Sequence, residues 1–200
     1  MNNETCVGEI QAPAQNINYE KLRSAVKAIG FGYVFLYLNL NLGRVNLLPN
    51  WVGYLLIREA CDDIGEQEPS IMLLKPLAAL LAGYEGVLWL CKLLDVSFSI
   101  PAVDVVIAVV SLYFHYQLMT NLGDLADHLH LAERDRLYST RIWQAALTTL
   151  LGVPVLKNLC VQTGLLVATC IVLVRVVVGI IYLEGSLREC AEQCSQQQIL

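Results

Sequence analysis

Six apolar stretches alternate with polar breaks along the chain, at residues 26–42, 47–64, 71–91, 101–122, 142–156 and 159–183. A helix crossing a hydrocarbon core of about 30 Å needs roughly 20 mainly apolar residues, so each stretch reads as a candidate span. The breaks between them carry turn chemistry, with Gly43, Pro49, Pro69, Pro101 and the charged run 124–141. No strand-like alternation is sustained, and the lumen-facing positions of a membrane barrel would alternate polar. Only helices and closed barrels satisfy the backbone in lipid. The pattern therefore predicts an all-α integral membrane protein, a six-helix transmembrane bundle. Its weak element is the second stretch. The uncharged core of that stretch, 47–57, has 11 residues, about 16 Å of helix, before Arg58 and Glu59 interrupt it. The second helix is thus short and tilted, or re-entrant.

Composition strengthens the membrane reading. Of the 200 residues, 56% are hydrophobic and 16% charged, with a mean hydropathy of +0.54, whereas a soluble domain carries about 25% charged residues to wet its surface. The net charge of −5 argues against nucleic acid, which needs a basic stripe to neutralise phosphates. The expected organisation is a polar cytoplasmic arm at 1–25, a bundle at 26–184 and a polar cytoplasmic tail at 185–200. No cleavable signal is expected, because the first apolar stretch follows a long polar segment. Seven cysteines are scattered without a C-x-x-C pair, so neither a disulfide framework nor a zinc site is expected; Cys91, Cys160 and Cys170 read as small apolar filler.

The basic residues set the orientation, since short cytoplasmic loops collect Lys and Arg. Six crossings with the N-terminus inside place nine of the 13 basic residues on the inner side and three outside, with Arg175 within the sixth span. If the second stretch does not cross, the split becomes five to seven. Six crossings with both termini cytoplasmic is the better solution, and Arg58 then snorkels to the inner interface.

The most distinctive segment is Asn39-Leu-Asn41-Leu-Gly43-Arg-Val-Asn46-Leu-Leu-Pro49-Asn50-Trp51-Val-Gly53-Tyr54. It resembles the segment after the first helix in a group of uncharacterised small multispan bacterial membrane proteins, where N-x-N-x-G-x-x-[DN]-[IL]-[IL]-P-[DN]-[FW]-[IV]-G-Y recurs. Gly30, Phe31 and Tyr33 before it, and residues 55–57 after it, fit the same pattern; the resemblance covers 30–61. It implies a multipass protein of the bacterial plasma membrane and carries no activity with it. Read from the residues, the segment is a helix end, a tight turn and a helix start. Gly43 suits a left-handed helix stop, Pro49 the next helix start, and Asn46 or Asn50 its cap. Trp51 and Tyr54 suit the outer headgroup level, and Gly53 allows close approach to a neighbour. The alternative is a re-entrant elbow whose Asn39, Asn41, Asn46 and Asn50 line a polar vestibule.

Charges within a span cost about 2.5–3.5 kcal/mol each on insertion scales and usually face the bundle interior. Glu85, Asp104, His115 and Arg175 qualify. Asp104, Ala108, Ser111 and His115 recur at i, i+4, i+7 and i+11, one narrow polar stripe on the fourth helix. One reading is a proton- or cation-handling relay of Asp104, Ser111 and His115 with Glu85, balanced by Arg175. The other is that these groups pair across helices to fix packing, or snorkel.

Ala79 with Gly83, and Ala82 with Gly86, place small residues four apart on the third helix, a face for another helix of this chain, a second copy or a membrane partner. Gly152 and Pro154 predict a kink or an unwound outer end in the fifth. Asp124, Asp127 and His128 share a helical face, but charged neighbours favour a solvated helix end over a metal site. No phosphate loop, nucleophile elbow or dinucleotide fingerprint is present, so no enzyme activity and no cofactor or metal is expected. Two functions remain: movement of a small solute or ion, or service as a non-catalytic membrane assembly or accessory subunit.

Overall fold

A computed structural model describes residues 17–37, 41–42, 45–46, 48–96, 100–151 and 159–197. The chain is helical: α1 Tyr19–Tyr37, α2 Asn50–Ile64, α3 Leu74–Leu93, α4 Pro101–His128, α5 Arg134–Leu151 and α6 Leu159–Gln197, with a 3₁₀ turn at Pro69–Leu73 before α3. The only strand pairing among the described residues is an antiparallel bridge between β1 (Asn41–Leu42) and β2 (Val45–Asn46), in the register Asn41 to Asn46. Three helical stretches, Pro69–Leu93, Pro101–His128 and Val167–Gln193, are long and apolar enough to cross a membrane.

Several helices outrun the apolar stretches that mark them, and in each case the added polar residues find partners. α1 takes in Lys21, which pairs with Asp63 at the end of α2 and Glu66 just past it, and Arg23, whose Nε lies 2.6 Å from Glu184 on α6. α5 begins at Arg134 rather than near 142. Arg134 reaches Asp127 at 3.0 Å, and the Arg136 and Arg141 guanidiniums lie over the rings of Tyr182 and Tyr116. α6 runs on to Gln197, helped by an Arg188–Glu192 pair one turn apart. At 39 residues it is about 58 Å long, nearly twice a hydrocarbon core, so much of the expected polar tail continues the helix.

Each helix packs on its neighbours in sequence, and α6 returns to α1, closing a ring. The tightest contact is between α1 and α2. A Cβ on Gly53 would sit 2.6 Å from the Gly32 carbonyl oxygen, and one on Gly32 would sit 2.9 Å from that of Gly53. Two facing glycines let the backbones approach in a way no side chain permits. α3 and α4 each end in a left-handed residue without being glycine: Asp95 at φ 56 and His130 at φ 54. The Val96 and Leu131 amides then bond back to the Cys91 and Ala126 carbonyls at 2.8 Å, the Schellman closure that satisfies carbonyls left over at a helix end.

The buried core is concentrated at one end of the ring. Leu22, Val26 and Ile29 of α1, Ile57 and Ile64 of α2, Leu74 of α3, Leu118, Leu122 and Leu125 of α4, and Leu183 and Leu187 of α6 meet there. This charged end carries the ion pairs above, a Lys75–Asp62 pair, and a buried polar cluster. In that cluster Ser70 Oγ lies 2.6 Å from Glu68 and 3.0 Å from the Asn121 carbonyl oxygen, and Gln117 donates to the same oxygen at 2.8 Å. At the opposite, open end, Val87, Leu90 and Leu93 of α3 and Val103, Val105, Val106 and Val109 of α4 are exposed.

Candidate functional site: a polar cavity on the axis of the ring

Between the two ends the ring encloses a cavity of about 270 Å³, to which every helix but α3 contributes. α1 supplies Leu36 and Tyr37, α2 Asn50 and Tyr54, and α4 Ser111 and His115. α5 adds Gln144, Leu147 and Thr148, and α6 adds Thr169, Val172, Leu173 and Val176. The spacing explains why these side chains meet. Ser111 and His115 stand one turn apart on α4, as do Asn50 and Tyr54 on α2 and Gln144 and Thr148 on α5, so each helix turns one polar strip to the axis.

His115 sits among aromatic rings. Tyr33, Tyr37, Tyr54 and Phe114 lie with centroids 5.4–6.2 Å from its own, and Tyr33 stacks on Tyr37 at 5.8 Å. The Tyr33 hydroxyl is 3.2 Å from His115 Nδ1, and that of Tyr54 is 3.3 Å from Ser111 Oγ. Gln144 Nε2 donates to the Tyr37 hydroxyl at 3.1 Å, and Asn50 Nδ2 donates to Glu85 on α3 at 3.3 Å. The other atom of each amide, Asn50 Oδ1 and Gln144 Oε1, is buried with no hydrogen-bond partner among the described residues. An unmet buried acceptor costs about 1–3 kcal/mol, so two acceptors on the wall of the cavity are left open.

The sequence-derived site residues divide here. Ser111 and His115 reach the cavity, and Glu85 joins it through Asn50. Asp104 does not: it accepts a hydrogen bond from Tyr84 on α3, two helical turns toward the open end from Ser111. Arg175 is exposed. It precedes Val176, which lines the cavity, so it shares that depth but points out of the ring. The interior counter-charge expected of it is therefore absent from the cluster, because α6 turns Val172 and Val176 inward and its 175 position outward.

The turn segment also departs from expectation. The cap position of α2 is Pro49, with φ −70 and ψ 131 and no side-chain cap bond. Proline offers no polar side chain, and Asn50, already inside the first turn, spends its amide on Glu85. Tyr54 is only 5% exposed; it faces Ser111 in the interior rather than a headgroup layer, since Gly53 draws α2 onto α1. Trp51 stands against Trp89 at 6.4 Å. Asn41 and Asn46 face each other in the β bridge, while Asn39, Gly43 and the 152–154 segment lie outside the described residues.

Sequence reasoning passed over Tyr37, Gln144, Thr148 and Thr169. The available signal was a tyrosine pair four apart in α1 and a lone glutamine and threonines within apolar stretches. At the charged end, Asp124 accepts from Tyr138 at 2.5 Å, Asp127 pairs with Arg134, and His128 Nδ1 lies 3.2 Å from Glu68. The three residues considered for a metal thus each hold a different protein partner. Of the small face on α3, Ala82 is buried and Gly86 lies against Trp51, whereas Ala79 and Gly83 are exposed. Cys170, expected as small apolar filler, is exposed on α6, and among the described residues Cys61 is the buried thiol.

These features define a helical bundle, three of whose helical stretches are long and apolar enough to cross a membrane, around a cavity with polar side chains from five helices. Comparison with protein-family models, with curated proteins and with solved structures finds no match for the chain.

Proposed function

We propose that this protein crosses the membrane six times, with both termini on the cytoplasmic side, and moves a small polar solute or ion through the axial cavity. The observation that carries this reading is the cavity itself: polar side chains from five helices converge on the axis of a closed ring, where close packing would fill the space with apolar groups. The charged end, rich in Lys and Arg, is the cytoplasmic one. Location in a bacterial plasma membrane rests on the resemblance of residues 30–61. Purified protein in proteoliposomes should show saturable uptake of small polar solutes that His115→Ala lowers at least tenfold with the folded fraction unchanged. Equal permeability of protein-free vesicles would defeat the reading, and a reporter fused at the α4–α5 turn that reads as external would defeat the topology.

A second reading, an accessory subunit held by a membrane partner or a second copy, draws on α3. Exposed Ala79 and Gly83 open onto a groove of about 520 Å³ bordered by Trp51, Leu55, Val87, Trp89 and Leu90. A Cβ on Gly83 would meet nothing within 4 Å, so the face has room for another helix. Stable co-purification with one membrane complex, lost in Gly83→Leu, would favour it.

A further inference from the structure

We infer that the axial cavity is selective for a small cation bearing N–H donors, ammonium or a short primary amine; the assignment rests on reading the cavity as a solute site. The two cavity amides are turned the same way. A carboxylate can only accept, so the Asn50–Glu85 bond holds Nδ2 toward Glu85 and leaves Oδ1 as the free hand. Gln144 spends Nε2 on Tyr37, and with 6% exposure its side chain is more than nine-tenths buried. Both carbonyl oxygens are left buried and unpartnered in a cavity they line, a pair of acceptors awaiting donors.

The charges and rings point the same way. No Lys or Arg lines the cavity among the described residues, and the carboxylate of Glu85 stands directly behind Asn50. The start of α2 contributes about half a positive charge, less than a full carboxylate. Tyr37 and Tyr54 border the same space, and aromatic faces attract ammonium groups. An anion would find hydroxyl donors such as that of Tyr37, but also two unpartnered amide oxygens and ring faces, with no lining Lys or Arg among the described residues to balance its charge. Lys92 on α3 also acts on Glu85 and offsets part of its charge, and a neutral polyol would gain less from that carboxylate than a cation would.

Calorimetry on the full chain in nanodiscs, with methylammonium and glycerol as probes, tests the assignment, and isotope flux in proteoliposomes runs beside it. Methylammonium should bind saturably and glycerol should not. Gln144→Leu should weaken methylammonium about tenfold or more, the scale of one hydrogen bond to a charged group, and Gln144→Glu should tighten it. The second variant keeps the size and polarity of the site, so it decides the matter if the first fails to fold. Glycerol binding as tightly as methylammonium, or Gln144→Glu weakening methylammonium, would overturn the cation assignment while leaving solute movement intact. Methylammonium binding without flux would uphold the assignment and overturn transport. Neither probe binding nor crossing would overturn both.

Discussion

The two ends of the bundle solve opposite problems with the same helices. At the charged end, α1, α2, α4 and α6 close on a leucine- and isoleucine-rich core, and many of the charged residues around it are matched in pairs: Arg23 with Glu184, Lys75 with Asp62, His128 with Glu68. Toward the open end the core gives way to a cavity whose amide oxygens are unmatched. Close packing makes a rigid base, even though Asn121 Nδ2, Glu133 Oε2 and Arg141 Nε there are buried with no hydrogen-bond partner among the described residues. An unfilled, unsatisfied interior costs stability, and such costs gather where a ligand or water must enter. Rigidity at one end is what allows a void to persist at the other.

The contrast is sharpest in two leucines. Leu118, fully buried at the charged end, should cost about 2–5 kcal/mol when replaced by alanine, because its neighbours cannot collapse into the gap. Leu147 already borders the cavity, and Leu147→Ala should lower the midpoint of thermal unfolding in detergent clearly less. Equal losses would mean that the cavity is no weaker in packing than the core, and the comparison would break. Next in size is Gly32→Val at the α1–α2 crossing, where added atoms would push into Ile57 and the Gly53 carbonyl; overpacking of this kind costs about 1–3 kcal/mol, read by the same unfolding scan.

A smaller effect of opposite sign is expected at the α4–α5 turn. His130 holds a left-handed φ of 54, and His130→Gly removes the strain between its Cβ and the backbone, raising stability by about 0.5–1 kcal/mol. The smallest effect is one of pH. The hydrogen bond to Asp124 favours the protonated phenol of Tyr138 and raises its pKa from the ordinary value of 10.0. A raised acid contributes stability that is fully present below the unfolded pKa and is lost as pH rises through the folded one. Tyr138→Phe should therefore remove one late-ionising phenol from the absorbance titration and flatten the alkaline decline in stability. An unchanged decline would assign it to other groups.

Much of the fold was legible because a membrane-like chain announces itself locally. Apolar runs placed each of the six helices, although α5 starts about two turns before its run and α6 ends about four turns beyond its own, and the four-residue spacing put Ser111 and His115 on one face of α4. The helix starts at Tyr19 and Arg134 were not legible, since the charges that extend those helices are matched by residues far away in sequence, Glu184 for Arg23 above all. The candidate site was half legible. Glu85, Ser111 and His115 stood out as polar groups in apolar surroundings, but Tyr37 and Gln144 carry no charge and looked like ordinary members of their helices.

By itself the sequence determined how many helices there are, which end of the bundle is charged, and which residues share a helical face, because these follow from composition and from a period of 3.6 residues. The tertiary structure decided the direction each face takes: Tyr54 inward to Ser111, Asp104 to Tyr84, Arg175 out of the ring. The rotation of a helix about its own axis is fixed by contacts such as Gly32 against Gly53 and by the return of α6 to α1, and no local pattern encodes it.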